Sequence, residues 1–236
     1  MSMKYLGETF DIHTGGIDHI PIHHTNEIAQ SECASGKKFV NYWLHGAFLN
    51  FKGEKISKSK GGLFLVSELE EKGFPALSYR YLCLLTHYRS SLEFSLENLT
   101  AAKNGYEGLK NKIKLIDDKS SGSISGDLYL KNFEVEINDD LNMPGALQVL
   151  QALLKDEKVS GKEKIAIIEK MDSVFGLDLF KQEKVHVPED VRKLAEERWK
   201  AKKAKDFKKS DALREQINKL GFVINDTSDG WEVRHK

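Results

Sequence analysis

Two short stretches carry residue types able to act on a phosphorylated substrate: His23-His24-Thr25-Asn26-Glu27 and Lys55-Ile56-Ser57-Lys58-Ser59, with 27 residues between them. On a helix His23 and Glu27 stand four residues apart on one face, where an imidazole nitrogen and a carboxylate oxygen can reach one cation. Two ligands do not complete a tetrahedral site, and taken alone the pair suits a hydrogen-bond cluster at a helix N-terminus better than a metal. His13, His19, His23 and His24 are half of the eight histidines within twelve residues, which points to metal or phosphate work. Gly15-Gly16-Ile17-Asp18 offers two glycines that let backbone approach a ligand, and a carboxylate able to bind a ribose hydroxyl or an amine; alone it is a weak motif. Lys55 and Lys58, in a loop bounded by Gly53, Gly61 and Gly62, can neutralise phosphate charge, although a Lys/Ser loop also suits plain surface.

The elements that must position these residues follow from apolar spacing. Phe10 to Ile12 is a short β-like run ending in His13-Thr-Gly-Gly, followed by a helix beginning near His23. Phe39 to Phe51, with Tyr42, Trp43, Leu44, Phe48, Leu49 and Phe51, suits a buried strand or strand pair broken at Gly46, so a parallel α/β arrangement is expected. Leu63 to Leu69 and Ala76 to Leu85 are apolar enough to pack back against that sheet. From Ser95, an expected N-cap, Leu96, Leu99, Ala102, Tyr106, Leu109, Ile113 and Ile116 follow helical steps. A Ser/Gly-rich stretch, Ser120 to Gly126, reads as a flexible loop. Leu147, Leu150 and Leu154 mark a second helix with Pro144 in its first turn; Ile165, Ile168 and Phe175 mark a third, stopped by Gly176. An antiparallel bundle is the natural arrangement. Pro188 then opens a helix bearing Val191, Leu194, Ala195 and Trp199, and Leu213, Ile217 and Leu220 define another closed by Gly221. Phe222 to Ile224 and Trp231 to Val233 flank an Asp-Gly turn, a hairpin signal.

Bulk composition bounds these readings without deciding them. The 236 residues are 40% hydrophobic and 31% charged, and 36 Lys+Arg balance 36 Asp+Glu, so any nucleic-acid contact must come from a local patch. Such a patch lies between Arg198 and Arg214, with Lys200, Lys202, Lys203, Lys205, Lys208 and Lys209; it suits a phosphate backbone or simply a solvated helix face. Cys33 and Cys83 form no framework, and a reducing cytoplasm is the simplest setting. No apolar run reaches the length of a membrane span.

Taken together the motifs resemble a known family. KISKS is similar to the KMSKS loop of class I aminoacyl-tRNA synthetases, and GGID followed by HHTNEIAQSE, then YWLHG, GEKISKSKGG, LLTHYRSSLEFS, KDFKKSDALREQI and DTSDGW, resembles cysteinyl-tRNA synthetase over nearly the whole chain. The resemblance implies the second half of a Rossmann-like catalytic domain at 1–52, a KMSKS loop and stem-contact region at 53–92, a tRNA-binding helical bundle at 93–180 and a small α+β anticodon-binding domain at 186–236. It implies that His23 and Glu27 are ligands of a Zn2+ that selects the cysteine thiolate. Asp18, with Gly15 and Gly16, would contact substrate and adenosine; His13 would line the site and Trp43 border the cysteine pocket. Lys58, helped by Lys55, would bind ATP, with Mg2+ accompanying it. Cysteine, ATP and tRNA(Cys) are the implied partners.

The sequence departs from the family pattern at Thr14, His19, Thr25 and Ile56, none of them an implied ligand. The family's first nucleotide-binding half, with its His-x-Gly-His motif and two cysteine zinc ligands, has no counterpart before Met1, and Cys33 and Cys83 do not replace those cysteines. The chain alone is therefore expected to be an inactive C-terminal portion, either working with a separate N-terminal catalytic fragment or arising from a truncated gene. Two other functions fit: a non-catalytic tRNA-binding module, and a synthetase-like ligase joining cysteine to a small-molecule amine.

Overall fold

The computed structural model describes residues 2–51, 54–55, 65–181, 188–226 and 230–235. Gly53, Lys58, Gly61, Gly62 and Asp229 of the Asp-Gly turn lie outside the described residues. The chain forms two compact units, Met1–Phe180 and Lys181–Lys236. Among the described residues no helix is long and apolar enough to cross a membrane.

A short helix α1 (Ser2–Leu6) leads into strand β1 (Phe10–Gly16), which pairs in parallel with β2 (Val40–Gly46). Between them run a 3-10 turn (Ile17–His19), a π-helical turn (Ile20–His24) and helix α2 (Thr25–Ser35). Parallel strands need such a crossover, and Gly36, at φ 69°, ends the helix in the left-handed conformation that glycine adopts without strain. Helical backbone therefore starts earlier than His23: Pro21 fits the first turn of the π segment, where it has no amide to lose. The strand pair is not the buried one expected, since Ile12 is 58% and Tyr42 68% exposed.

Strand β2 ends at Gly46 as its sequence suggests, and β3 (Leu49–Phe51) starts a second sheet between antiparallel β4 (Glu54–Lys55) and parallel β5 (Leu92–Phe94). Helices α3 (Val66–Glu71) and α4 (Ala76–Leu84) follow, then α5 (Leu96–Lys114), α6 (Asp127–Asn138), α7 (Met143–Lys155) and α8 (Gly161–Phe175). Instead of covering the β1–β2 pair, α3 and α4 send Leu69, Tyr81 and Leu82 into a helical core with Leu99, Tyr106, Leu150, Ile168 and Phe175; Leu49 and Phe51 of the second sheet flank it. The larger apolar surface lies on the helices, so burial draws α4 there. Ser95 caps α5, its Oγ accepting from the Asn98 amide at 3.0 Å, and Tyr106 donates its buried hydroxyl to the Leu177 carbonyl at 2.6 Å.

Helix α6 has no counterpart in the sequence reading: Phe133 is its one fully buried side chain, too little to set up a visible helical period. The stretch from Ser120 to Gly126, exposed as far as Ser125, is tied to the start of α8 by hydrogen bonds. The Ser123 amide donates to the Lys158 carbonyl at 2.7 Å and Ser120 Oγ accepts from the Gly161 amide at 2.9 Å.

In the second unit, α9 (Glu189–Lys203) and α10 (Phe207–Lys219) pack with the antiparallel hairpin β6 (Phe222–Asp226) and β7 (Trp231–His235). Val191, Ala195, Ile217, Phe222, Ile224 and Val233 form its core. Arg198 does not join an exposed basic patch. It is 2% exposed and holds Asp226 through two bonds of 2.7 and 3.1 Å, while Lys202 reaches the same carboxylate at 2.7 Å.

Candidate functional site

The chemistry-bearing residues of the first unit converge beside the β1–β2 pair. Parallel register sets His13 opposite Trp43 and Gly15 opposite His45, and the first turn of α2 brings Glu27 to them. Glu27 is ringed by imidazoles: Oε2 lies 3.1 Å from His13 Nε2 and 3.9 Å from His24 Nε2, and Oε1 lies 3.7 Å from His23 Nε2. Oε2 is shut off from solvent, yet no donor among the described residues is aligned to hydrogen-bond it. A buried carboxylate oxygen in that state is costly unless a cation meets it.

His24 is the most enclosed member, 3% exposed. Its Nδ1 lies 2.8 Å from His45 Nε2, so when Nδ1 carries the proton it donates to His45 and leaves Nε2 bare toward Glu27. Burial first, then His13 and His45, holds the His24 imidazole below its usual pKa, with Glu27 acting in the opposite sense. A neutral ring is the form that binds metals. Trp43 walls this chamber, its ring 4.9 Å from His13 and 4.8 Å from His24, and stacks parallel to His45 at 6.2 Å.

Gly15 sets the depth of the chamber. A Cβ there would lie 2.6 Å from His24 Cε1 and 2.8 Å from His19 Nδ1, so a side chain would displace both rings. At Gly16 a Cβ would meet Asp18 Oδ1 at 2.5 Å, which keeps the 3-10 turn bearing Asp18 folded close to the strand end. Among the described residues two donor groups suited to a metal result, His13/His24/Glu27 and His19/His23/His24, each with its ligand atoms within 4.8 Å of one another. Neither contains a cysteine: Cys33 is exposed on α2, and burial pushes the Cys83 thiol on α4 up, away from the thiolate a metal needs.

Of the residues singled out in the sequence, His13, Gly15, His23, Glu27 and Trp43 gather here, with Gly16 and Asp18 at the rim. Lys55 lies on β4, its backbone opposite Asn50, and Lys58 is outside the described residues. The sequence reading missed His45 as a site member, and it placed His24 in the histidine cluster without giving it a role of its own. The signal for His45 was present: in β2 it stands two positions after Trp43, and alternate strand residues share a face.

The family model described as tRNA synthetases class I (C) catalytic domain matches residues 1–104, and that described as Cysteinyl-tRNA ligase anticodon binding domain matches residues 185–234. The cysteine–tRNA ligase of Treponema denticola is 41% identical over 96% of this chain and 52% of its own length. Cysteine–tRNA ligase 1 of Burkholderia lata is 42% identical over 99% of this chain and 49% of its own. The chain thus spans about half the length of the curated relatives it matches. Among solved structures, the LeuRS of Agrobacterium radiobacter K84, in ternary complex with tRNA and LeuAMS, superposes with a TM-score of 0.55 at 16% identity, over 71% of this chain and 25% of that one. That likeness establishes a helix-rich α/β fold shared with a class I synthetase.

Proposed function

The chain belongs to the cysteinyl-tRNA synthetase family, and we propose that it is a portion of a cysteine–tRNA ligase, an enzyme that activates cysteine with ATP and transfers it to tRNA(Cys). The observation that carries this is the buried, unbonded Glu27 oxygen facing imidazoles under Trp43. Residues 1–52 are the second half of a Rossmann-like domain, 53–92 the signature loop and stem-contact region, 93–180 a tRNA-binding bundle and 186–236 the anticodon domain. Glu27 and His23 would hold a zinc ion, for which the N and O donors and the unbonded Glu27 oxygen are a chemical fit. Zinc bound there supplies a preference for a thiolate sulfur over the harder hydroxyl of serine.

The remaining roles belong to this chain's side chains. His13 and Trp43 shape a pocket that takes a small side chain and excludes water. Gly15 and Gly16 leave room for substrate backbone atoms, and Asp18 accepts from the amino group or a ribose hydroxyl. Lys55 and Lys58 neutralise charge that grows on the phosphates as a cysteine carboxylate oxygen attacks the α-phosphorus and pyrophosphate leaves; Mg2+ bound to ATP would add to that neutralisation. A terminal ribose hydroxyl of the tRNA then attacks the acyl carbon and AMP leaves. The exposed Lys200, Lys203, Lys205, Lys208 and Lys209 meet the tRNA backbone. Other contributions to the ATP and zinc sites come from the rest of the catalytic domain, on the same or a separate polypeptide.

Equilibrium binding of cysteine and serine to the zinc-loaded chain tests this reading. Cysteine is expected to bind at least about tenfold more tightly, and Glu27→Ala should abolish the difference. Equal binding of the two amino acids contradicts it. A purely tRNA-binding module would bind tRNA and neither amino acid.

A further inference from the structure

We propose that Asp140 is a positioning residue for the candidate site: from the turn between α6 and α7 it fixes, through Tyr88, the backbone that ends strand β2, and so the place of Trp43. This rests on the preceding reading of the Trp43 chamber as an amino-acid pocket, and its structural part is tested without any ligand.

The turn itself is held in an unfavourable shape. Asp140 and Leu141 are consecutive non-glycine residues with φ of 52° and 59°, in the left-handed region where a side chain crowds its own backbone. Aspartate tolerates that region better than leucine, and glycine would link the two helices there without strain. The neighbours over-determine the turn. The Asn142 backbone amide donates to the Glu136 carbonyl at 3.2 Å and its side-chain amide to Glu136 Oε2 at 2.6 Å, while Asn142 Oδ1 accepts from the Gly145 amide at 3.1 Å. Strain maintained in this way marks a backbone with a task beyond joining two helices.

That task is read from what Asp140 holds, for three consecutive residues of the connection between α4 and β5 converge on it. Tyr88 donates its hydroxyl to Oδ1 at 2.6 Å, and Arg89 reaches Oδ1 with Nη2 at 3.1 Å and Oδ2 with Nε at 2.6 Å. His87 donates from Nε2 to the Asp140 main-chain carbonyl at 2.9 Å, a tautomer that agrees with its Nδ1 accepting from the Arg89 amide at 3.2 Å. An exposed ion pair alone contributes little; the short, charge-assisted Tyr88 bond and the convergence of three residues tie the segment down. At its other end the same tyrosine meets the sheet, its carbonyl accepting from the Ala47 amide at 2.8 Å. Ala47 directly follows Gly46, the last residue of β2, the strand that carries Trp43. Two bonds through one tyrosine therefore connect the bundle turn to the strand that walls the chamber.

Amide hydrogen exchange and 1H–15N NMR of the whole 236-residue chain test the assignment, with Trp43, the one tryptophan before residue 181, reporting on the chamber. Tyr88→Phe and Asp140→Gly should each speed exchange of the Ala47 amide at least about tenfold and shift the Trp43 indole resonance. The amides of Leu99 and Leu150, buried in the helical core, should keep their rates. Asp140→Asn retains an acceptor for Tyr88 and a residue suited to the left-handed turn, and should stay within about twofold of the unmodified chain. Cysteine affinity of the zinc-loaded chain should follow the same order, falling about 2–30-fold in Tyr88→Phe and Asp140→Gly. If Asp140 served only to shape the turn, Asp140→Gly would be silent at Ala47 and Trp43; that result overturns the assignment, as does equal acceleration at Leu99 and Leu150. An unmodified chain that binds no cysteine counts against the preceding proposal, and the Ala47 and Trp43 readouts still decide this one.

Discussion

Glu27 and Asp226 are both partly enclosed carboxylates facing cationic or cation-forming neighbours, and the protein treats them in opposite ways. Asp226 spends both oxygens on Arg198 and one also on Lys202, and these bonds, the Arg198 ones first, hold its carboxyl well below the usual carboxylate range. Glu27 has three imidazoles within 3.9 Å and leaves its buried oxygen without a hydrogen bond. The first is a carboxylate completed by the fold, the second one left open for something the chain does not itself supply. An internal ion pair is structural when every lone pair is used; an unfilled one of comparable burial marks a binding site.

Substitution at the two carboxylates should separate stability from binding. Asp226→Asn leaves Arg198 buried without its counter-charge and should cost the second unit roughly 2–4 kcal/mol, below the top of the range for buried pairs because Asp226 keeps part of its side chain in water; urea unfolding followed at Trp199 and Trp231 measures it. Glu27→Gln should change stability by under about 1 kcal/mol, since no hydrogen bond to the buried oxygen is lost, while zinc binding collapses. Equal destabilisation by both would erase the distinction.

His45→Ala, which removes the partner of the buried His24 Nδ1 beside Glu27 and leaves Glu27 and His23 in place, should weaken zinc binding by about tenfold, read by competition with a chelating dye. Acid provides a third contrast. Because the Asp226 carboxyl is depressed in the folded state, its contribution is fully present above the unfolded value of about 3.9 and is lost as pH falls below it toward the folded value. Circular dichroism of the second unit should therefore show an acid transition below about pH 4 that shrinks in Asp226→Asn. The smallest effect is expected at the α5 cap, where Ser95→Ala should cost about 1 kcal/mol of thermal stability and leave zinc affinity unchanged.

How much of this was legible in the sequence depends on how far apart the interacting residues lie. The Ser95 cap, the Gly176 and Gly221 stops and the break at Gly46 are local, and the residues announce them. Glu27 and His23 were found because a helix repeat links them. His24 looked like a neighbour of His23 until the β1–β2 register brought His13 and His45 around it, a relation between strands 30 residues apart that no single period encodes. Arg198 read as one more base in a basic run because its partner, Asp226, lies on a hairpin 28 residues later. Helix α6 stayed hidden because one buried phenylalanine makes no period.

Zinc-edge X-ray absorption on the zinc-loaded chain, before and after adding cysteine, tests the central claim most directly. The account predicts a first shell of N and O atoms alone at about 2.0–2.1 Å, joined on adding cysteine, and not serine, by one sulfur at about 2.3 Å. Sulfur in the shell before cysteine is added, or a shell that cysteine leaves unchanged, would contradict it.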